Sequence, residues 1–411
     1  MAAFNFVCPA SSRHAASSKR RKWLFGHRHL LGYIEEGMRG EHRPVIWFHA
    51  ASLGEYAVVR PVMKAVRGKG YAVVLTFFSP SGYEAVEGTR PEFVAADHVY
   101  YLPLDTRRSA RRFIAAVRPQ AAVFAVSEYW PCFLYELRCA NVPVHIVSAM
   151  LGEGHYLFRR WASPLRKLLG YVRTIIVHDE DSAAHLRRIG MRKVVLTGDP
   201  LFDNAAQTAS VPYHDAVIER FAGAGGNVLV AGSVHDKADM GIVAAVANRN
   251  PALRVIYVPH EISAERLNDI KASLQGRSLL YSECNETTDF NGVQTLVIDF
   301  IGALARIYRF GDFAYVGGGF TPYLHSVVEP VVYGLPVAFG PCVHRKATAA
   351  KMLHAGLADV VRTGEELNGW LQRWLSGGES ALNEAKKNAL LFVEQNIGAT
   401  ETILRNILDN E

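Results

Sequence analysis

Cysteine is scarce in this chain: five residues in 411 (Cys8, Cys132, Cys139, Cys284, Cys342), with no C-x-x-C pair and no zinc-finger spacing. A disulfide framework is therefore not encoded, and a reducing compartment is the expected setting. No apolar run approaches the ~20 residues that cross a bilayer. The first thirty residues lack the apolar core of a secretory signal. The motifs G-x-x-x-x-G-K-[ST], strand-following G-x-G-x-x-G and G-x-S-x-G are all absent, which argues against a P-loop ATPase, a dinucleotide-dependent oxidoreductase and an α/β-hydrolase. No helix-turn-helix, zinc finger or aromatic–basic sheet motif points to nucleic acid as a partner. Histidine and carboxylate residues show no metal-ligand spacing. The expectation is chemistry with no cofactor and no metal.

What is present is globular. Hydrophobic residues make up 49% and charged residues 20%, enough for two domains that each bury a core. The formal charge of +6 is concentrated at the start, where residues 1–43 hold eight Lys/Arg against three acids. Trp23, Leu24, Phe25, Leu30 and Leu31 lie in this basic segment. It reads either as contact with an anionic membrane surface or as a solvated terminus.

From residue 45 onward, short apolar runs alternate with amphipathic stretches. Strands are predicted at 45–49, 71–78, 99–102, 121–126, 144–149 and 174–178, with helices between them such as 107–117 and 180–189. Residues 204–226 break the rhythm and read as a linker plus one helix. Strands then resume at 228–230, 254–258, 295–298, 313–316 and 337–339. Continuous apolar strands separated by helices imply parallel sheets covered on both faces. The expected fold class is α/β: two doubly wound, Rossmann-like domains at 44–207 and 208–411, the second carrying the C-terminal helices. A cleft between them, and ligands beyond the carboxyl ends of the strands, are expected.

The informative loops fall at those strand ends. In WFHAASLGE (residues 47–55) a strand ends near His49, small residues turn the chain and Glu55 opens a helix. Glu55 can accept a proton from a sugar hydroxyl, or can serve only as a first-turn carboxylate that stabilises its helix. In SEYWP (127–131) Glu128 is either a residue of the site or a helix cap ahead of Pro131. In the second domain, Gly232 and Ser233 follow a strand and offer backbone N–H groups to a phosphate. Gly317, Gly318 and Gly319 follow another strand and promise an unobstructed backbone, with an anion-holding helix N-terminus after them. Glu329 follows as an acceptor for ribose hydroxyls. This order of glycines, histidine and acid points to nucleotide binding at a switch point.

These segments, together with SPSG (79–82), TGDPLFD (197–203), VLVAGSVHD (228–236), VPHE (258–261), GGGFTPYLHSVVEP (317–330) and GLPVAFGP (334–341), occur in an order that resembles the bacterial 3-deoxy-D-manno-octulosonic acid (Kdo) transferase family. The resemblance runs from about residue 47 to the C-terminus. It implies a GT-B fold, a CMP-Kdo donor, a lipid A precursor (lipid IVA) as acceptor, inversion at the anomeric carbon without a metal, and a peripheral location on the cytoplasmic face of the inner membrane. Glu55 matches the family's general base and Glu128 a residue assisting the transition state. The donor positions it implies are Pro259, His260, Ile301, Gly302, Ala303, Ser326, Val327, Val328 and Glu329, with Gly232, Ser233, the three glycines and His325 beside them. Ser52, Gly54 and Ser127 fall to the acceptor. The alternatives are another GT-B enzyme using a UDP-sugar, and a weakly catalytic paralogue that binds nucleotide or lipid.

The chain departs from the family pattern in several places. Leu201 stands where members usually carry Lys or Arg, with Arg159, Arg160 or Lys346 as conceivable substitutes. His260 stands where many members have Arg, and Ser326 where they have Asn. The N-terminal hydrophobic anchor common in the family is not expected here.

Overall fold

The computed structural model describes residues 27, 29–87, 94–126, 128–152, 154–322, 324–343 and 347–409. The chain divides into two compact units, one of residues 1–204 and 398–411 and the other of residues 205–397.

The first unit is built on a seven-stranded parallel sheet. Its strands are β1 (Val45–Ala50), β2 (Ala72–Phe77), β3 (His98–Tyr101), β4 (Pro119–Ala125), β5 (Val144–Val147), β6 (Thr174–Val177) and β7 (Val194–Leu196), in the order β3-β2-β1-β4-β5-β6-β7. Every residue of β1 and β2 is buried, so their side chains must feed cores on both faces. Trp47, Val74 and Phe124 face one core, while Ile46, Phe48, Val73 and Leu75 face the other. This two-sided burial is why the strands read as unbroken apolar runs.

The second unit repeats the plan with β8 (Val228–Val234), β9 (Arg254–Pro259), β10 (Arg277–Leu280), β11 (Val293–Val297), β12 (Phe313–Val316), β13 (Val337–Phe339) and β14 (Ala358–Val360), ordered β10-β11-β9-β8-β12-β13-β14. All its pairings are parallel as well.

Every strand expected from the sequence is present, and three more appear: β7, β10 and β14. All three are sheet edges. An edge strand is short and wet on one side, so it carries no continuous apolar run to announce it. Residues 204–226 hold two helices, Pro200–Ser210 and Ala216–Gly223, rather than a linker and one. The last helix, Ala399–Leu408, belongs to the first unit, although the sequence placed the C-terminal helices in the second. Its Ile403 and Ile407 enter the core beside the helix Leu53–Gly68, and Asp203 accepts hydrogen bonds from Gly398 N and Thr400 N, both at 2.6 Å. The aspartate of TGDPLFD thus pins the returning chain.

The basic N-terminal segment also needs correction. Its helix Leu30–Gly37 buries Leu30 and Ile34 in the first core, and Leu31 packs against that core, so Leu30 is not available to a membrane. Trp23, Leu24 and Phe25 lie outside the described residues. No helix among the described residues is long and apolar enough to cross a membrane.

Candidate functional site

In the first unit the strand order reverses between β1 and β4, the place where doubly wound sheets bind ligands. Both candidate carboxylates sit just beyond those two strands. Ser52 caps the helix Leu53–Gly68, accepting from Glu55 N at 3.4 Å. The Glu55 carboxylate turns back and accepts from Ala51 N at 2.5 Å. Glu55 therefore does stabilise its helix, as the simpler reading expected. It is also half-buried and close to Glu128, and its carboxyl is pushed up to about 7, first by burial and then by the negative charge of Glu128. A carboxylic acid tuned to neutrality is suited to general-base work.

Glu128 is not a helix cap. The helix Pro131–Cys139 begins with Pro131 after Trp130, which makes no capping bond. Its open amides at Cys132 and Phe133 are taken by Asp105, at 3.0 and 3.1 Å. Glu128 instead lies with one oxygen 3.6 Å from His49 Nε2. The turn that carries it there holds Val126 at φ 55°. For a β-branched residue this conformation costs about 1–3 kcal/mol.

His49, which the sequence marked only as the end of a strand, is fully buried beneath this pair. Trp47 Nε1 donates to Thr76 Oγ1 at 2.9 Å, and His49 Nδ1 lies 2.9 Å from the same hydroxyl. Substituting Thr76 by Val leaves the indole N–H and the imidazole without this partner. We expect a loss of about 2 kcal/mol, read as a lowered denaturation midpoint.

Of the acceptor candidates, Ser52 serves as the cap and Gly54 is exposed on the first turn; Ser127 lies outside the described residues. Leu201 begins the helix Pro200–Ser210 and its N–H meets Asp199 at 3.0 Å. Of the conceivable substitute cations, Arg159 and Arg160 are exposed, and Lys346 lies outside the described residues.

In the second unit the order reverses between β8 and β12. Pro259 ends β9, and the segments after β8, β9, β11 and β12 bring His235, His260, Ile301 to Ala303, and His325 to Glu329 to the same carboxyl edge. Gly232 and Ser233 are not in a loop after a strand; they lie inside β8. A side chain at Gly232 would strike the Tyr308 hydroxyl, so that glycine makes room for protein.

The glycine triplet is buried and closed to a ligand along much of its backbone, contrary to expectation. A Cβ at Gly317 would overlap the Ser233 carbonyl, and one at Gly319 would overlap the backbone of Gly340. Gly317 N donates to Gly232 O at 2.9 Å, and Gly318 N to Asp239 Oδ2 at 2.7 Å. These glycines let neighbouring strand ends approach each other.

Asp239 was not foreseen. It is completely buried, and it accepts from His235 N at 3.0 Å, Gly318 N at 2.7 Å and the Tyr315 hydroxyl at 2.6 Å. It clamps the loop after β8 to the loop after β12. Its only sequence signal was its place in the first turn of the helix Lys237–Arg249.

The segment after the triplet forms a single turn, Val328–Val331, rather than an anion-holding helix. Val327 and Val328 are buried in the core, leaving only their backbone for a ligand. Ser326 is half-buried, and Ile301 is 86% exposed, an unusual state for so apolar a side chain. Burial pushes the Glu329 carboxyl up to about 7. The folded chain thus holds this proton more tightly than the unfolded chain, so stability falls as pH rises from about 4.5 to about 7. Such a shift corresponds to about 3 kcal/mol. The Glu329→Gln variant is expected to melt several degrees higher than the parent at pH 8 and alongside it at pH 4.5.

No spacing along the chain marks a metal site, yet the fold brings His235, His260 and His325 together with ligand nitrogens within 4.8 Å of one another. They are 25 and 65 residues apart along the chain, which is why no local pattern revealed them.

Two successive doubly wound parallel units, each with candidate residues beyond its switch point, define a protein of the GT-B class. The same fold is found in UDP-GlcNAc 2-epimerase from Neisseria meningitidis, with a TM-score of 0.62 at 15% identity, covering 90% of this chain and 100% of that one. Residues 25–204 match the family described as 3-deoxy-D-manno-octulosonic-acid transferase (kdotransferase). The 3-deoxy-D-manno-octulosonic acid transferase of Chlamydia trachomatis serovar A is 25% identical over 358 residues, covering 82% of this chain and 80% of its own. That of Bordetella pertussis is 26% identical over 351 residues, covering 81% of each. The first unit thus matches the Kdo transferase family model, and the chain is similar to Kdo transferases over most of its length.

Proposed function

We propose that this protein transfers Kdo from CMP-Kdo to a sugar hydroxyl of a lipid A precursor, with inversion, at the cytoplasmic face of the inner membrane. The observation that carries the reading is the pair of carboxylates beyond β1 and β4, with the Glu55 carboxyl raised to about 7. Ionised Glu55 takes the proton from the acceptor hydroxyl. The oxygen then forms a bond to the anomeric carbon of Kdo as the bond to the phosphate oxygen breaks and cytidylate leaves. Charge on the leaving phosphate falls to N–H donors at the rim of the second unit, so the scheme needs no metal. Ser326, His260, Ile301, Gly302, Ala303 and Glu329 are the rim groups assigned to the donor, with Pro259 fixing the loop after β9. Gly232, Ser233 and the three glycines shape that rim from below. Ser52, Gly54 and Ser127 are assigned to the acceptor.

Mass spectrometry of lipid IVA incubated with the protein and freshly generated CMP-Kdo tests the reading; the expected result is a product heavier by one or more Kdo residues. An unchanged lipid, with a known transferase active in the same mixture, refutes it. Donor choice is tested separately by thermal shift. At 100 times its Kd, CMP should stabilise by about 2.7 kcal/mol, and UDP at the same concentration should not.

A further inference from the structure

The three histidines of the second unit form a cluster; the transfer scheme assigns His260 to the donor rim but gives the three together no role. His235 follows β8, His260 follows β9 and His325 follows β12, so they rise from three adjacent strands in the centre of the sheet. Their rings are 4.4 to 5.8 Å apart between centroids. His260 is exposed and the other two are part-buried.

Each histidine is held through its backbone. His235 N donates to Asp239 at 3.0 Å and its carbonyl accepts from Arg266 at 2.9 Å. His260 N donates to Val234 O at 3.0 Å, and His325 N to Gly317 O at 3.1 Å. Only side-chain torsions remain to be set. His235 Nδ1 is buried and finds no hydrogen-bond partner among the described residues, an arrangement that calls for one from outside.

Neutral imidazole is the form that binds a transition metal. A tetrahedral zinc ion with bonds of about 2.0–2.1 Å sets its nitrogens about 3.4 Å apart. Ligand atoms already within 4.8 Å of one another reach that separation by modest ring rotations.

We propose that His235, His260 and His325 form a three-imidazole site for a divalent transition metal of the zinc type, with its fourth position open to an anionic oxygen or water. This goes beyond the transfer reading and does not depend on it. The site is tested on the full chain, stripped with chelator and titrated with zinc chloride in the absence of nucleotide and lipid.

The expected result is one zinc per chain with a Kd of micromolar or lower, and tetrahedral visible absorption when cobalt replaces zinc. His260→Ala, at an exposed position that should not disturb folding, is expected to weaken binding at least ~100-fold, since loss of even an outer partner of a ligand costs 10–100-fold. His214→Ala, which removes an exposed histidine outside the cluster, should leave binding unchanged. Unaltered zinc affinity in His260→Ala would overturn the proposal and point to other histidines. So would an absence of stoichiometric binding combined with inorganic phosphate affinity that strengthens as pH falls, which would make the cluster a protonated anion cradle. Because nucleotide and lipid are left out, failure of the transfer reading would not change the titration, nor the reverse.

Discussion

Replacing Glu55 with Gln is expected to lower Kdo transfer by roughly 10²–10⁴-fold, the usual contribution of a positioned general base, without lowering the melting temperature. Glutamine keeps a carbonyl oxygen to accept the bond that the carboxylate takes from Ala51 N. It cannot take up the acceptor's proton, so fold and chemistry separate in this variant. The wild-type rate also carries a sign. Only the ionised carboxylate is a base, and its carboxyl is held at about 7. The kcat/KM should therefore rise with pH on the acid side and level off above neutrality. Part of that elevation comes from the charge of Glu128, so Glu128→Gln should move the acid limb to lower pH as well as change the plateau. A pH–rate profile measured on both variants separates these effects. Full activity in Glu55→Gln would remove it as the base.

Removing the carboxylate of Asp239 is expected to cost more stability than any other single change considered. Three donors converge on it, and bonds to a charged acceptor contribute about 1.5–3 kcal/mol each. In Asp239→Ala, His235 N, Gly318 N and the Tyr315 hydroxyl would be left buried and unpaired. We expect a loss of at least about 4 kcal/mol, visible as a strongly lowered first transition in thermal unfolding. Asp239→Asn tests the geometry at nearly constant volume. An amide offers one acceptor oxygen, and its NH₂ would face either the Tyr315 hydroxyl or the two amides. Asn should recover only part of the loss. CMP binding should weaken in both variants, because the clamp joins the loops after β8 and β12. A melting curve like that of the wild type would show that the clamp does not hold these loops.

Much of the fold was legible along the chain. Strands buried on both faces, such as β1 and β2, must be apolar at every position, and that requirement writes itself into a short window of sequence. The edge strands β7, β10 and β14 escape because water on one side relaxes the requirement. The homing of Ala399–Leu408 onto the first unit escapes for a different reason. Its apolar stripe states that it packs somewhere, and Asp203, almost two hundred residues earlier, decides where.

The site divides in the same way. Glu55 and Glu128 were recognisable because each follows a strand directly, and the switch-point rule converts that local fact into a position. The sequence by itself determined the alternation of strands and helices, the places where loops can carry chemistry, and the resemblance to Kdo transferases. Only the tertiary structure decided that His49 lies under Glu128, that Asp239 joins two loops, that the glycine triplet serves close backbone packing, and that three distant histidines meet. Local pattern encodes burial and backbone geometry. The proton affinity of a carboxyl, or the meeting of side chains from separate strands, depends on neighbours that the chain supplies only after it has folded.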